Sequence, residues 1–193
     1  MMVQALHEPV ITFGAFAAGV LIGGISPGYL MVRMSRGLDV REQGSGRTGA
    51  TNAARLLGRR AFFIVLCADI AKGLLPAIAA DYVLPGAAGA VSVGVVAGHI
   101  WPPALGLRGG RGAAPLLGAM AALDPMLLPA AGLLFVVASR LPIHRRAAAA
   151  LSFAACALFA ALLLPDHGIA VATACVMVAA AHMNLTWPRR ETA

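Results

Sequence analysis

The chain has 193 residues, of which 60% are hydrophobic and only 12% are charged, and its formal net charge is +7. Soluble domains contain about 45 to 50% apolar and about 25% charged residues, so this composition excludes a water-soluble globular domain. The basic residues lie in short stretches between long apolar runs, which favours topology signals and anion sites over nucleic-acid binding.

Several apolar runs approach or exceed the length that a helix needs to cross hydrocarbon, which is roughly 17 to 25 residues. They cover 9–34, 61–80, 87–107 and 168–183. We predict an all-α integral membrane protein with about seven transmembrane helices and a single domain over 1–193. The three cysteines fall inside apolar runs without C-x-x-C spacing, so neither a disulfide framework nor a metal site is predicted.

Arginines cluster in four stretches of the chain, at 33–60, 108–111, 140–146 and 189–190. The other connections contain Glu8, Asp81, Asp124 and Asp166 but no Lys or Arg, and Lys72 lies inside an apolar run. Cytoplasmic loops carry the excess of basic residues in membrane proteins. We therefore predict a multi-pass protein of a cytoplasmic membrane, with the N-terminus outside and the C-terminus inside.

This topology requires an even number of crossings between Arg108 and Arg140, and Asp124-Pro125 marks the point of reversal. The two arms, at 113–123 and 126–139, have roughly 11 to 14 residues each and lengths of about 16 to 21 Å. We expect either two short helices in a locally thinned site or a re-entrant hairpin. The glycines of the first apolar run predict close helix packing through small residues.

Three polar groups of residues stand out against this apolar background. The first is the stretch 44–55, whose small residues present backbone N–H groups and hydroxyls of the kind that cradle phosphate oxygens. Arg47 adds a bidentate donor. The alternative is a flexible polar loop whose arginines only set topology. The candidate site residues are Ser45, Gly46, Gly49, Thr51, Asn52 and Arg55.

The second group is Arg108-Gly109-Gly110-Arg111-Gly112, which opens the predicted hairpin. Glycines at a helix N-terminus between two arginines place backbone donors and fixed charge around one anion. The spacing is not that of a Walker loop. His99 precedes this group near the inner end of a helix, and it is either a catalytic group or a hydrogen-bonded interfacial residue.

The third group is Asp69 and Lys72, which lie three residues apart and hence on one helical face. Charges within an apolar helix mark a site by default. The alternative is a structural ion pair that holds the helix bundle together.

Together these segments resemble the bacterial acyl-phosphate glycerol-3-phosphate acyltransferase family, the PlsY type, and the chain is identified as a divergent member. The resemblance covers most of the chain. Its motifs are Ser26-Pro27-Gly28-Tyr29-Leu30, Asp39-Val40-Arg41, the G-S-G-x-x-G-A-T-N-x-x-R-x-L-G block at 44–58, Asp69-x-x-Lys72-Gly73, Gly98-His99-x-x-Pro102, the block at 108–112 and Asn184.

The resemblance implies a seven-helix enzyme that transfers an acyl chain from acyl phosphate to the 1-hydroxyl of sn-glycerol 3-phosphate. The products are lysophosphatidic acid and phosphate. It implies catalytic roles for Ser45, Arg55 and His99, and no cofactor, metal or nucleic acid. It also implies a monomer surrounded by lipid in the bacterial inner membrane. The implied binding residues are Gly46, Gly49, Thr51, Asn52, Lys72, Arg108, Gly109, Gly110, Arg111, Gly112 and Asn184.

The chain departs from the family pattern at several site positions. Arg111 stands where the family has Lys, and its planar guanidinium group is not interchangeable with an ammonium group. Arg47 stands where the family has Asn. Leu141 and Ile143 stand where the family has Tyr and Ser. His182 comes one residue late, which on a helix turns a side chain by about 100°, so it is not carried over as a site residue.

Acyl phosphate is a mixed anhydride with a good leaving group, so a substrate hydroxyl attacks it without an enzyme nucleophile. Catalysis then rests on holding two phosphorylated substrates together and neutralising their charge. The proton goes to His99 or to a substrate phosphate. Two alternatives stay open: a transferase of the same fold with a different acceptor or donor, and a small anion transporter.

Overall fold

The computed structural model describes residues 2–183, and within that range the chain is α-helical apart from short connections and two 3₁₀ turns, with no strand. In chain order the helices are α1 (Met2–Gly24), α2 (Pro27–Arg36), α3 (Ala50–Leu57), α4 (Arg59–Val83), α5 (Ala88–Ile100), α6 (Ala113–Leu123), α7 (Leu127–Ser139), α8 (Arg145–Leu163) and α9 (Gly168–His182). The predicted all-α fold is confirmed.

The long apolar segments have the dimensions and the surface of membrane helices. Within residues 2–183, four segments are long and apolar enough to cross a bilayer, namely Pro9–Arg36, Arg59–Val83, Ala88–Leu105 and Arg146–Leu163. Helices α6, α7 and α9 are apolar but shorter. Large apolar side chains such as Phe13, Leu21 and Ile169 are at least 70% exposed, as lipid-facing residues are. The number of helices that span the bilayer stays a prediction.

The first apolar run is interrupted between α1 and α2, a break that was not predicted. Ser26 precedes a proline and is extended, because the proline ring disfavours helical backbone at the residue before it. Its hydroxyl accepts a hydrogen bond from the Tyr29 backbone N–H and so caps α2. The carbonyls left open at the end of α1 therefore need partners from elsewhere.

Lys72 provides those partners. Its Nζ donates to the carbonyls of Gly23 at 3.1 Å and Ile25 at 2.9 Å, and it pairs with Asp69 at 2.9 Å. The three hydrogens of the ammonium group are thus accounted for. Lys72 ties the middle of α4 to the interruption between α1 and α2.

The reversal at Asp124-Pro125 is confirmed, because α6 ends at Leu123 and α7 begins at Leu127. Asp124 lies at the turn, where its Oδ1 accepts a hydrogen bond from the Met126 backbone N–H at 3.0 Å. A short Asx-type turn therefore reverses the chain between two helices of 11 and 13 residues.

Glycines allow two helix pairs to pack backbone against backbone. A Cβ atom added at Gly94 would collide with the Phe16 carbonyl of α1, and one at Gly19 would collide with the Val91 carbonyl of α5. Helices α4 and α6 meet in the same way, with Gly73 against the carbonyl of Pro115. The predicted close packing through small residues is confirmed, and it brings α5 and α6, which carry the candidate site, against α1 and α4.

Candidate active site

The first glycine loop, residues 44–49, follows a 3₁₀ turn at Val40–Glu42 and leads into α3. Asn52, which is buried, organises it. The Asn52 amide nitrogen donates to the carbonyls of Val40, Gln43 and Arg47, each at 2.9 Å. Its oxygen accepts the backbone N–H of Ser45 at 3.0 Å. One side chain thus fixes the loop and leaves the Ser45 hydroxyl at the exposed surface.

The second glycine loop, residues 106–112, folds back onto the end of α5. The Gly109 N–H donates to the Ile100 carbonyl at 3.1 Å, and the Gly110 N–H donates to the His99 carbonyl at 2.9 Å. The loop begins and ends in left-handed backbone, with φ of +60° at Gly106 and +82° at Gly112. These conformations turn the chain sharply enough to place Gly110 against the His99 imidazole.

His99 is buried and lies between an acidic group and the second glycine loop. Its Nδ1 is 3.4 Å from Oδ1 of Asp69. Its Nε2 faces Gly110, since a Cβ atom added there would collide with that nitrogen. A carboxylate beside Nδ1 favours the tautomer with hydrogen on Nδ1, which leaves Nε2 as the basic nitrogen.

These parts surround a cavity of about 500 Å³ at the end of the bundle where the arginine-rich loops meet. Nine of the residues predicted for the site line it, namely Ser45, Gly49, Thr51, Asn52, Arg55, His99, Gly110, Arg111 and Gly112. Gly46, Lys72, Arg108 and Gly109 do not line it. Asn184 lies outside the described residues. The cavity wall from α4 and α6 contains the apolar side chains of Phe62, Leu66 and Leu117 together with the carboxylate of Asp69.

Besides Asp69, four further polar residues line the cavity, namely Arg47, His144, Arg146 and His182. Burial lowers the pKa of the Arg47 guanidinium, and the nearby charges of Arg111 and Arg146 lower it further. Cationic side chains from three loops therefore meet in this cavity.

His144 and Arg146 were not predicted as site residues, and the arginines at 140–146 were assigned to topology. His144 caps α8, where its Nδ1 accepts the Arg146 backbone N–H at 3.2 Å. The sequence signal was a His and an Arg directly before an apolar run.

His182, which was not carried over as a site residue, lines the cavity. It is the last residue of α9, and its ring packs beside Phe153 with 5.5 Å between the ring centroids. The burial of Val178 and Ala181 sets the rotation of α9 about its axis, and that rotation directs His182 to the cavity.

The fold and the site define a multi-pass integral membrane protein with an arginine-lined cavity at one end of a helical bundle. The chain belongs to the glycerol-3-phosphate acyltransferase family, whose family model matches residues 13–187. The resemblance inferred from the motifs is therefore confirmed.

Curated relatives share long stretches of the chain. A glycerol-3-phosphate acyltransferase 1 of Desulfitobacterium hafniense is 50% identical over 122 residues, which are 61% of this chain and 60% of that protein. A glycerol-3-phosphate acyltransferase of Anaeromyxobacter sp. (strain Fw109-5) is 37% identical over 139 residues, 69% of this chain and 68% of that protein. The match with the Desulfitobacterium protein thus spans less than two thirds of that relative's length.

Solved structures show the same fold. The crystal structure of PlsY, an integral membrane glycerol 3-phosphate acyltransferase, in its glycerol 3-phosphate form superimposes with a TM-score of 0.72 at 25% identity. The superposition covers 89% of this chain and 86% of that one. The lysophosphatidic acid form of PlsY superimposes with a TM-score of 0.70 at 24% identity, which is a likeness of fold.

Proposed function

We propose that this protein transfers an acyl chain from acyl phosphate to the 1-hydroxyl of sn-glycerol 3-phosphate, giving lysophosphatidic acid and inorganic phosphate. The observation that carries the proposal is the convergence of two glycine loops and several arginines on one cavity. Two phosphorylated substrates require two anion subsites, and backbone N–H groups with guanidinium groups are suited to bind them. Membership of the glycerol-3-phosphate acyltransferase family supports this substrate.

The second glycine loop is the proposed subsite for glycerol 3-phosphate, with Gly110, Arg111 and Gly112 against its phosphate. The first glycine loop and α3 are the proposed subsite for acyl phosphate, with Ser45, Thr51 and Arg55 against the leaving group. The apolar wall at Phe62 and Leu66 lies on the side from which an acyl chain enters from lipid.

In the proposed reaction the glycerol 1-hydroxyl attacks the acyl carbonyl carbon. A new ester C–O bond forms, the C–O bond to phosphate breaks, and inorganic phosphate leaves with the electron pair of that bond. The hydroxyl proton passes to His99 Nε2 or to a phosphate oxygen, and Asp69 beside Nδ1 stabilises the protonated ring. Arginines around the cavity stabilise the charge that develops on the leaving group, so no covalent enzyme intermediate is required.

His144 and Arg146 compensate, in this proposal, for the hydroxyl groups that Leu141 and Ile143 do not supply. Both line the cavity, whereas Leu141 and Ile143 are at least 42% exposed. Since Nδ1 of His144 accepts a backbone N–H, the neutral ring carries its hydrogen on Nε2 and offers a donor there. These departures also favour the one alternative that we retain, a transferase with a different phosphorylated acceptor.

The test is an assay of the purified full chain in detergent with acyl phosphate or acyl-coenzyme A and glycerol 3-phosphate. We expect turnover with acyl phosphate and little with acyl-coenzyme A. Ser45→Ala and Arg55→Ala should each lower turnover at least about tenfold, the equivalent of roughly 1.4 kcal/mol of transition-state stabilisation. Arg60→Ala is the matched control, because Arg60 is exposed and outside the cavity.

Efficient transfer from acyl-coenzyme A, or full activity in both variants, would contradict the donor assignment. Mass spectrometry of the lipid products with a panel of phosphorylated alcohols decides the acceptor. We further propose a monomer in the bacterial inner membrane, with the N-terminus outside and the cavity opening to the cytoplasm.

A further inference from the structure

Arg41 lies outside the cavity, between the two glycine loops. It belongs to the 3₁₀ turn Val40–Glu42, directly before the first glycine loop. Its Nε and Nη2 donate to both oxygens of Asp39, at 2.9 and 2.6 Å for the shorter contacts. Its Nη1 donates to the carbonyl of Leu105, at the entrance of the second glycine loop. One guanidinium group thus joins two segments that are 64 residues apart in the chain.

The Leu105 carbonyl lies directly before the second glycine loop and accepts two hydrogen bonds. It accepts the Arg108 backbone N–H at 3.3 Å as well as Arg41. Leu107, two residues on, has a φ of +62° and is the one residue other than glycine with positive φ among residues 2–183. Left-handed backbone costs a residue with a Cβ atom about 1 to 2 kcal/mol, so this conformation needs support from the surroundings.

On the side of the first glycine loop, the backbone next to Arg41 is also held by hydrogen bonds. The carbonyl of Val40, next to Arg41, accepts a hydrogen bond from Asn52, and so does the carbonyl of Gln43. Asn52 also holds the Ser45 backbone. A continuous set of contacts therefore runs from α3 through Asn52 and Arg41 to Leu105 and the second glycine loop.

Arg41 has the contacts of a positioning residue and not those of a phosphate ligand. It does not line the cavity, and all three of its nitrogen atoms donate to Asp39 or Leu105. The hydrogen bonds from Arg41 hold the pKa of Asp39 below its usual value, so the carboxylate remains charged at neutral pH. The guanidinium also lies over the ring of Tyr29, with 5.3 Å to its centroid.

We propose that the Asp39–Arg41 pair sets the distance between the two anion subsites, and so aligns the attacking hydroxyl with the acyl carbonyl. This inference rests on the proposed function. A partly exposed ion pair contributes only about 0 to 1 kcal/mol to stability. In contrast, a misplacement of about 1 Å between reacting groups lowers the rate by about a hundredfold. The pair therefore matters more for turnover than for folding.

The decisive variant is Arg41→Lys, because an ammonium group keeps the charge but lacks the fork that contacts Asp39 and Leu105 at once. We expect turnover at saturating substrates to fall at least about tenfold, while each KM stays within about threefold, because each subsite is intact by itself. The matched control is Arg33→Lys, since Arg33 also donates to a backbone carbonyl, that of Gly37, but at an exposed place away from the second loop. This control should keep full turnover.

The kinetic constants separate the possible roles of Arg41. A higher KM for one substrate with unchanged turnover would make Arg41 a phosphate ligand and overturn the proposal. A lower melting temperature with unchanged turnover of the folded fraction would make its role structural and overturn it too. Asp39→Asn should reproduce the turnover loss of Arg41→Lys.

A measurement without catalysis distinguishes failure of this inference from failure of the proposed function. Spin labels at Glu42→Cys and Leu107→Cys, both exposed positions, report the distance between the two loops in a chain whose three native cysteines are replaced. We expect Arg41→Lys to shift or broaden that distance distribution and Arg33→Lys to leave it unchanged. An unchanged distribution in Arg41→Lys overturns the positioning role. An unaltered chain that is inactive with every donor refutes the proposed function instead.

Discussion

Gly110 is the residue at which the second glycine loop touches the His99 imidazole. Its N–H bonds to the His99 carbonyl, and a Cβ atom there would collide with His99 Nε2. The His99 ring cannot move away from Gly110 without breaking its contact with Asp69, whose Oδ1 lies 3.4 Å from His99 Nδ1. A single methyl group therefore disturbs both the second glycine loop and the candidate base.

We predict that Gly110→Ala raises the KM for glycerol 3-phosphate and lowers kcat, with kcat/KM at least about tenfold lower. Initial rates over a range of glycerol 3-phosphate concentrations provide the measurement. Gly132→Ala is the control, because a Cβ atom added there meets nothing within 4 Å. Unaltered constants in Gly110→Ala would remove this residue from the site.

Among individual residues, the sequence predicted nine that line the cavity but not what each of them does. Motif positions such as Ser45, Arg55 and Gly110 line the cavity as expected. Asn52 also lines it, yet its amide hydrogens hold loop carbonyls. Lys72 lies outside the cavity because its donors go to the end of α1. These roles depend on which backbone carbonyls lack a hydrogen-bond partner in their own helix or loop. The spacing of residues in the sequence does not show which carbonyls those are.

Among the helices, the contact between α1 and α5 depends on glycines that leave no room for a side chain. A Cβ atom at Gly94 would collide with the Phe16 carbonyl and lie 3.0 Å from Gly19 Cα. Backbone atoms cannot yield as the end of a flexible side chain does, so the two helices must move apart. Helix α5 ends at His99 and Ile100, so its position also fixes the second glycine loop.

We predict that Gly94→Ala destabilises the protein by about 1 to 3 kcal/mol through overpacking. Gly14→Ala on α1 should be neutral or slightly stabilising, because it meets nothing within 4 Å and alanine favours helix over glycine. Thermal unfolding in one detergent, followed by intrinsic fluorescence or by light scattering, compares the two. Equal melting temperatures would show that α1 and α5 do not pack in this way.

The elements themselves were largely predictable, because apolar runs and turn residues mark where membrane helices begin and end. The arms predicted at 113–123 and 126–139 are observed at Ala113–Leu123 and Leu127–Ser139. The break between α1 and α2 escaped prediction, since it lies inside one continuous apolar run. A proline preceded by serine was its one local signal, and membrane helices often tolerate proline without ending.

For the whole molecule, the shared cavity constrains the arrangement of the chain in the membrane. Residues from 45–55, 110–114 and 144–146 line one cavity, so these three loops lie at the same end of the bundle. The acidic connections at 81–86 and 164–167 belong to the other ends of the long helices α4 and α8. Sequence reasoning reached the same grouping of loops from charge alone, because arginine resists translocation. The distribution of arginines does not show that the three loops are in contact, because that contact depends on how the helices pack.

We predict that these two ends of the bundle face opposite sides of the membrane. Because the arginines cluster at the cavity end, we expect that end in the cytoplasm. Single cysteines at Gln43 and Arg145 should react with a membrane-impermeant thiol reagent only after cells are permeabilised. Cysteines at Gly86 and Asp166, both exposed, should react in intact cells. All four are placed in a chain whose Cys67, Cys156 and Cys175 are replaced by alanine, so that no native thiol contributes signal. Labelling of Gln43 and Arg145 from opposite sides would contradict the shared cavity and the hairpin between them, whereas labelling of both from outside would reverse the predicted orientation and leave the fold unchanged.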